Sequence, residues 1–269
     1  VTVNAVHHIN CATMCPIAAD YLLGGNFIAH CLLVETERDG LVLVDTGFGT
    51  RDVEGKTGLS RLFKTLVRPA LDRNETAFEQ VRALGFTADD VRHIVVTHLD
   101  VDHAGGLSDF PHASVHVHAR EHAAAMTRGT LKERERYVRE HWSHGPKWEV
   151  YTEDGDTWRG LPAVTRLRKL DADVGIVPMH GHTRGHSAIV VRAANGRWLV
   201  HAGDAYFHRR AVEGGTQPVG VRLFETSVQM NKSDRMASLA ALRQLHATYD
   251  DLDLFCAHDA REYSALRGV

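Results

Sequence analysis

The sequence predicts an α/β protein built as two sheet-plus-helix halves. Apolar β-type runs recur along the whole chain, stretches of helical periodicity separate them, and several of the runs end on a histidine or an aspartate. With 269 residues the chain is long enough to bury a substantial core, and residues 1–269 read as one domain.

In chain order, the passage from His7 to Pro16 is polar and sulfur-rich without a clear period, and reads as a loop that lines a cavity or arms a metal site. Phe27 to Glu35 and Leu41 to Asp45 are β-type runs flanking a polar turn, a hairpin signal. Asp45 stands where the second run gives out, as a turn former or as a carboxylate that orients metal ligands. From Arg51 to Asp90 the spacing of Leu59, Leu62, Phe63 and Leu66, and of Phe78, Val81 and Leu84, predicts surface helices. A capped turn at Thr87 to Asp90 then leads into the strand His93 to Thr97.

That strand delivers the densest chemistry in the chain. His98, Asp100, Asp102 and His103 fall within six residues, ahead of Ala104-Gly105-Gly106. Imidazole and carboxylate suit zinc, manganese or iron. His98 with Asp100 can feed one metal position and Asp102 with His103 an adjacent one. Strand-end turns use glycine, asparagine and aspartate far more than paired histidines, so a mere solvated turn explains the cluster poorly.

Ser114 to His118 alternates as a strand, with His116 and His118 on one face. Residues 119–160 read as a helical insertion over the site, charged and helical at first, then aromatic and irregular, with Trp142 and Phe27 as candidate substrate contacts. A second histidine cluster, His180, His182 and His186, alternates with Gly181 and Gly185, which points to backbone in close approach to a ligand. Ala188 to Val191 and Trp198 to Asp204 are strands joined by the turn Asn195-Gly196, and the second exits on Asp204. Met236, Leu239, Leu242 and Leu245 form a helical stripe before the last strand, Leu252 to Asp259, which carries His258 near its end.

The formal net charge of −3, from 31 basic and 34 acidic residues, gives no electrostatic reason to expect nucleic acid or an anionic membrane as partner. No window approaches the roughly 20 apolar residues of a spanning helix, and the N-terminus lacks a secretion-signal pattern, so the expected location is cytoplasmic. Cys11, Cys15, Cys31 and Cys256 are scattered and expected to be reduced thiols.

Taken together, the cluster from His98 to His103 and the later His186, Asp204 and His258 resemble the metallo-β-lactamase superfamily of hydrolases. The resemblance implies an αββα sandwich with a dinuclear metal site at one sheet edge. It places His98, Asp100 and His186 on one metal, Asp102, His103 and His258 on the other, and Asp204 between them, with Asp45 and His182 supporting the ligands. Where the family usually carries histidine this chain has Asp100, a harder anionic ligand that shifts preference from zinc toward manganese or iron.

Within the superfamily, the opening His-His-Ile-Asn-Cys-x-Thr-Met-Cys-Pro and the tail Ala-His-Asp are most similar to the acyl-homoserine lactone lactonase branch. That branch implies attack of a metal-bound hydroxide on a lactone or related ester, with Asp102 moving the proton and Tyr206 polarising the carbonyl. Rival readings are a thioesterase of the glyoxalase II type, a phosphodiesterase using Arg209 and Arg210, and a metal-poor binding module. The expected partner is a small-molecule substrate, and a homodimer is possible.

Overall fold

The computed structural model describes residues 2–267. Its twelve strands are β1 (Val3–Met14), β2 (Phe27–Thr36), β3 (Leu41–Val44), β4 (Val91–Val95), β5 (Ser114–His118), β6 (Lys147–Tyr151), β7 (Asp156–Trp158), β8 (Leu161–Arg166), β9 (Val174–Pro178), β10 (Ser187–Arg192), β11 (Trp198–His201) and β12 (Leu252–Phe255). They form two six-stranded sheets, ordered β1-β2-β3-β4-β5-β6 and β12-β11-β10-β9-β8-β7. In the first sheet β1 to β3 pair antiparallel and β3 to β6 parallel. The second is antiparallel except for β11 with β12.

The two sheets pack face to face, because alternate residues of each strand are apolar on both faces. Leu32, Val34, Val42, Val44 and Val95 meet Val174, Ile176, Ile189, Val191 and Phe255 in the space between the sheets. The intervening residues Cys31, Leu33, Leu43 and Ile94 face a helical layer carrying Ala77, Val81, Ala124 and Ala125. On the far side Val177, Ala188, Val190 and Val200 meet Leu239, Leu242 and Leu245 of the helix Lys232–Thr248. Burial on both sides is why these strands read as unbroken apolar runs rather than as half-exposed alternation. The result is the helix–sheet–sheet–helix sandwich.

Two segments differ from the sequence reading. His7 to Met14 belongs to β1, the long edge strand, whose polar members are tolerated because an edge faces solvent on one side; His7 pairs with Glu35 across the ladder at 2.6 Å. Residues 119–160 are helical only in their first half. Helices Ala119–Thr127 and Leu131–Arg136 are followed by β6 and β7, which form edge strands of the two sheets. All four cysteines are free. Among the described residues no helix is long and apolar enough to cross a membrane.

Candidate metal centre

The site lies where loops leaving β3, β4, β9, β11 and β12 converge at one edge of the sandwich, and each ligand-bearing loop is fixed by hydrogen bonds to a neighbour. The Thr97 carbonyl accepts the Ser187 N–H at 2.9 Å, joining the exit of β4 to the start of β10. His258 donates through Nδ1 to the Ile28 carbonyl at 2.6 Å, and the His30 N–H donates to the Ala257 carbonyl, which pins the exit of β12 to β2.

Asp45 is the hinge of this arrangement. It sits just past β3 with φ at 56°, a left-handed conformation that aspartate tolerates better than most residues. Its carboxylate is buried and accepts the Thr97 N–H at 2.7 Å, the Thr97 hydroxyl at 2.7 Å and His103 Nδ1–H at 2.8 Å. The same hydroxyl accepts His98 Nδ1–H at 2.9 Å. His98, His103 and His258 thus all spend Nδ1 on an outer partner, leaving an Nε2 lone pair aimed at the centre.

Asp204 stands in the middle. Its Oδ2 lies 3.8 Å from His98 Nε2 and 3.3 Å from His182 Nε2, and Asp100 Oδ2 lies 3.3 and 3.1 Å from those same two nitrogens. On the other side, Asp204 Oδ1 is 3.3 Å from His103 Nε2 and 3.0 Å from His258 Nε2, with Asp102 Oδ2 3.9 and 3.7 Å from them. Ligands on a tetrahedral zinc ion at its usual bond lengths are spaced about 3.3 Å apart, so both groups have the right size for an ion. His98 Nε2, His103 Nε2, Asp100 Oδ1 and Asp204 Oδ1 are buried and have no hydrogen-bond partner. Buried polar atoms left without a partner in native proteins call for a cation or a water, and these donors fit the divalent metal that the resemblance implies. Burial alone would push the Asp204 carboxyl up, but the imidazoles of His258, His103 and His182 outweigh it and hold it well below the usual carboxylate range. His103 is likewise raised well above the ordinary imidazole value, because Asp204, Asp45 and Asp102 overcome its burial.

Seven expected residues, His98, Asp100, Asp102, His103, Asp204, His258 and the supporting Asp45, come together here. His186 does not join them as a ligand. Its Nδ1 donates to the Met179 carbonyl at 2.7 Å and its Nε2 accepts the Asp204 N–H at 2.8 Å, so neither ring nitrogen is available. His182, expected to play a supporting part, takes the inward position instead. The two histidines take the reverse of the expected roles, and Gly185 lets their loop pack against the helix Ala119–Thr127, since a Cβ there would lie 2.0 Å from the Glu121 nitrogen. His186 orients Asp204 through the backbone, and Gly203 beside it allows that approach, since a Cβ there would be 2.5 Å from His186 Nε2.

Tyr206 also departs from expectation. It is fully buried, its hydroxyl donates to Glu262 at 3.1 Å, and it faces the core behind the site rather than the cavity. The next residue, Phe207, reaches the cavity and stacks on His258 with ring centroids 4.7 Å apart. Trp142 is 8% exposed and packed in the core between the first sheet and its helices, so it does not line the cavity. Phe27 does, against Phe207, Phe224 and His258. Arg209 and Arg210 point away, Arg209 to Glu213 and Arg210 to the Thr216 carbonyl.

Two buried charged residues that the sequence reading passed over complete the centre. Glu121 is fully buried and clamps both ligand loops: Oε1 accepts the Leu99 N–H at 3.0 Å and the Tyr137 hydroxyl at 3.1 Å, while Oε2 accepts the Thr183 hydroxyl at 2.6 Å and the Gly185 N–H at 3.1 Å. Arg136 ends the helix Leu131–Arg136 and extends its guanidinium to Asp100 and His182. Nothing local marks either residue, because both sit in a charged helical stretch and reach the site only through the fold.

The donors form the floor of a cavity of about 410 Å³. Its wall is largely apolar, with Met14, Leu23, Phe27, Phe63, Phe207 and Phe224, and its polar lining is chiefly the metal-type residues with Lys132, Glu135 and Arg136. The chain can therefore hold one or two divalent ions beneath an apolar chamber.

Comparison with known proteins agrees with this construction. The family model described as the metallo-beta-lactamase superfamily matches residues 24–249. The chain is 44% identical over 266 residues to the "Probable metallo-hydrolase Rv2300c" of Mycobacterium tuberculosis, covering 97% of this chain and 82% of the relative. It is 24% identical over 245 residues to an N-acyl homoserine lactonase of Bacillus thuringiensis, covering 90% of this chain and 85% of that one. Among solved structures, an N-acyl homoserine lactone hydrolase with the product N-hexanoyl-L-homoserine bound at its catalytic metal centre superposes with a TM-score of 0.72 at 21% identity, over 99% of this chain and 98% of the other. The protein belongs to the metallo-beta-lactamase superfamily and is a metallo-hydrolase of that fold.

Proposed function

We propose that this metallo-hydrolase opens a lactone, or cleaves a related ester, that carries an apolar acyl chain. The observation that carries this reading is the position of the Asp204 carboxylate between the two groups of inward-facing Nε2 atoms, with Oδ2 3.3 Å from His182, Oδ1 3.3 Å from His103 and both oxygens 3.0 Å from His258, beside an apolar chamber. The residues that would hold ions are His98, Asp100, His182 and Asp204 on one side and Asp102, His103, His258 and Asp204 on the other. Zinc is the first choice, with manganese or iron favoured by Asp100. A divalent ion held there would acidify water toward neutral pH and polarise a carbonyl oxygen.

The chain's own residues supply the rest. Phe27, Phe63, Phe207 and Phe224 exclude water and seat the acyl chain. Asp102 is 14% exposed at the side chain and faces the cavity, so it is placed to orient the attacking water and carry its proton to the leaving oxygen. Because Tyr206 is turned away, a developing oxyanion would draw instead on the donors that line the cavity, Arg136 and Lys132 among them. The apolar wall and the outward Arg209 and Arg210 speak against a phosphodiester; a thioester remains the second reading, since an apolar acyl group would occupy the same wall.

The test is a panel of lactones, aryl esters, thioesters, phosphodiesters and β-lactams, assayed with protein loaded separately with zinc, manganese and iron. Lactones or esters of medium acyl length are expected to lead, with Asp102→Asn inactive. Phosphodiester turnover exceeding every acyl substrate would sink the reading.

A further inference from the structure

The two sides of the centre are built from similar donors, yet they differ in one respect that the family resemblance does not anticipate. On the Asp102–His103–His258 side, no arginine or lysine among the described residues makes an ion pair or hydrogen bond with any donor. On the His98–Asp100–His182 side, Arg136 does. Its side chain is 8% exposed, its Nη1 lies 2.5 Å from Asp100 Oδ2 and 2.9 Å from His182 Nε2, and its Nη2 donates to the Val228 carbonyl at 2.5 Å. One guanidinium nitrogen therefore engages two of the atoms that an ion would need there. Asp100 with Arg136 is neutral, as the family's histidine is, but an Asp100 lone pair and that of His182 are directed at N–H groups rather than at an ion.

We propose that Arg136 makes the two cation positions unequal, so that the Asp102–His103–His258 side binds a divalent ion tightly and the His98–Asp100–His182 side binds one only weakly. The inference rests on the metal-dependent reading above. Binding on the His98–Asp100–His182 side must displace Arg136 from Asp100 and His182, and the guanidinium cannot shed its charge to make room. It must instead swing away from buried partners or remain beside the incoming ion. Neither cost falls on the other side. Arg136 also lines the cavity, so when it stays in place its positive charge stands beside the chamber where a second ion's charge would otherwise act.

The experiment uses chelator-stripped full-length protein titrated with zinc and, separately, with cobalt, read by elemental analysis after gel filtration, by calorimetry and by the visible absorption of bound cobalt. Wild type is expected to retain one ion per chain, with a second bound at least about 100-fold more weakly, the scale set by displacing charge-assisted hydrogen bonds. Arg136→Met is expected to bring the two affinities within about tenfold of each other on the same scale. Because that variant strands the buried Asp100 carboxylate, the double variant Asp100→His with Arg136→Met removes both members of the pair and should fold more readily while taking two ions. Wild type binding two ions with matched affinity would overturn the inference and leave the metal-dependent reading intact, as would a second ion that stays weak in both variants. Failure of wild type to bind any ion would overturn both.

Discussion

The two histidine-rich passages, residues 98–103 and residues 180–186, look alike in sequence and behave differently in the fold. In the first, His98, Asp100, Asp102 and His103 all face the centre, because Asp100 sits at the N-terminus of the short helix Val101–Ala104 and the helical turn carries Asp102 and His103 back toward it. In the second, only His182 faces inward. His180 turns outward to Glu153 at 3.0 Å, and His186 is consumed by Met179 and Asp204. The difference teaches that a dense cluster of ligand-type residues names a neighbourhood, whereas ligation depends on which ring nitrogens the backbone has already claimed.

The sharpest way to break that comparison is to truncate the two histidines separately. Assayed with enough metal to fill both sides of the wild type, His182→Ala is expected to lower kcat/KM by about 1,000-fold, the several kcal/mol that ion-borne charge stabilisation supplies. It should also lower the affinity of the His98 side for cobalt. His186→Asn should keep its metal content and lose stability instead, by roughly 1–3 kcal/mol in urea denaturation, because a buried N–H or carbonyl is left unpaired. Loss of the His98 side's cobalt affinity in His186→Asn with that affinity unchanged in His182→Ala would reverse the assignment.

Glu121 tests the connection between the passages, since it holds Leu99 of one and Thr183 and Gly185 of the other. Glutamine cannot accept all four of its hydrogen bonds, so Glu121→Gln is expected to weaken metal binding about 10- to 100-fold, as loss of a residue supporting ligands does. Equilibrium dialysis against zinc would check it, and unchanged affinity would mean the loops hold their positions without the clamp.

Tyr206 and Glu262 supply the smallest effects on activity, because they lie outside the centre. Tyr206→Phe is expected to leave kcat within about twofold while costing about 1 kcal/mol of stability, the worth of one hydrogen bond. A large fall in kcat would restore the tyrosine to catalysis. Glu262 is raised from the ordinary carboxyl value to about 7, chiefly by burial. A carboxyl with a raised folded-state pKa holds its proton more tightly when folded, so this group's contribution to stability is full below the unfolded value near 4.5 and falls as pH rises to about 7. The loss is roughly 3 kcal/mol at most. Glu262→Gln mimics the protonated acid and should flatten urea stability between pH 5 and 7; a pH dependence equal to that of wild type would show the group to be unshifted.

Much of the molecule is legible from residues near one another in sequence. The hairpin of β2 and β3, the strand before His98, the strands flanking Asn195-Gly196 and the helix around Leu239 declare themselves by apolar period, because both faces of these strands are buried and patterning has to match. So does the ligand-rich turn from His98 to His103, where short spacing forces the groups together. β1 escaped because an edge strand can carry polar residues on either face, and β6 because its pairing with β5 across the intervening helices has no local signature.

What the sequence determined by itself is therefore the sandwich's set of strands and the chemistry of its centre. Only the tertiary structure decided which donors point inward, since that depends on hydrogen bonds from distant segments: Asp45 to His103, Ile28 to His258, Met179 to His186 and Glu262 to Tyr206. The same holds for Arg136, an unremarkable arginine in a charged helix until folding brings its guanidinium to Asp100 and His182. A buried ring or carboxylate must satisfy its polar atoms with whatever the fold supplies, and that supply cannot be read from neighbours in the chain.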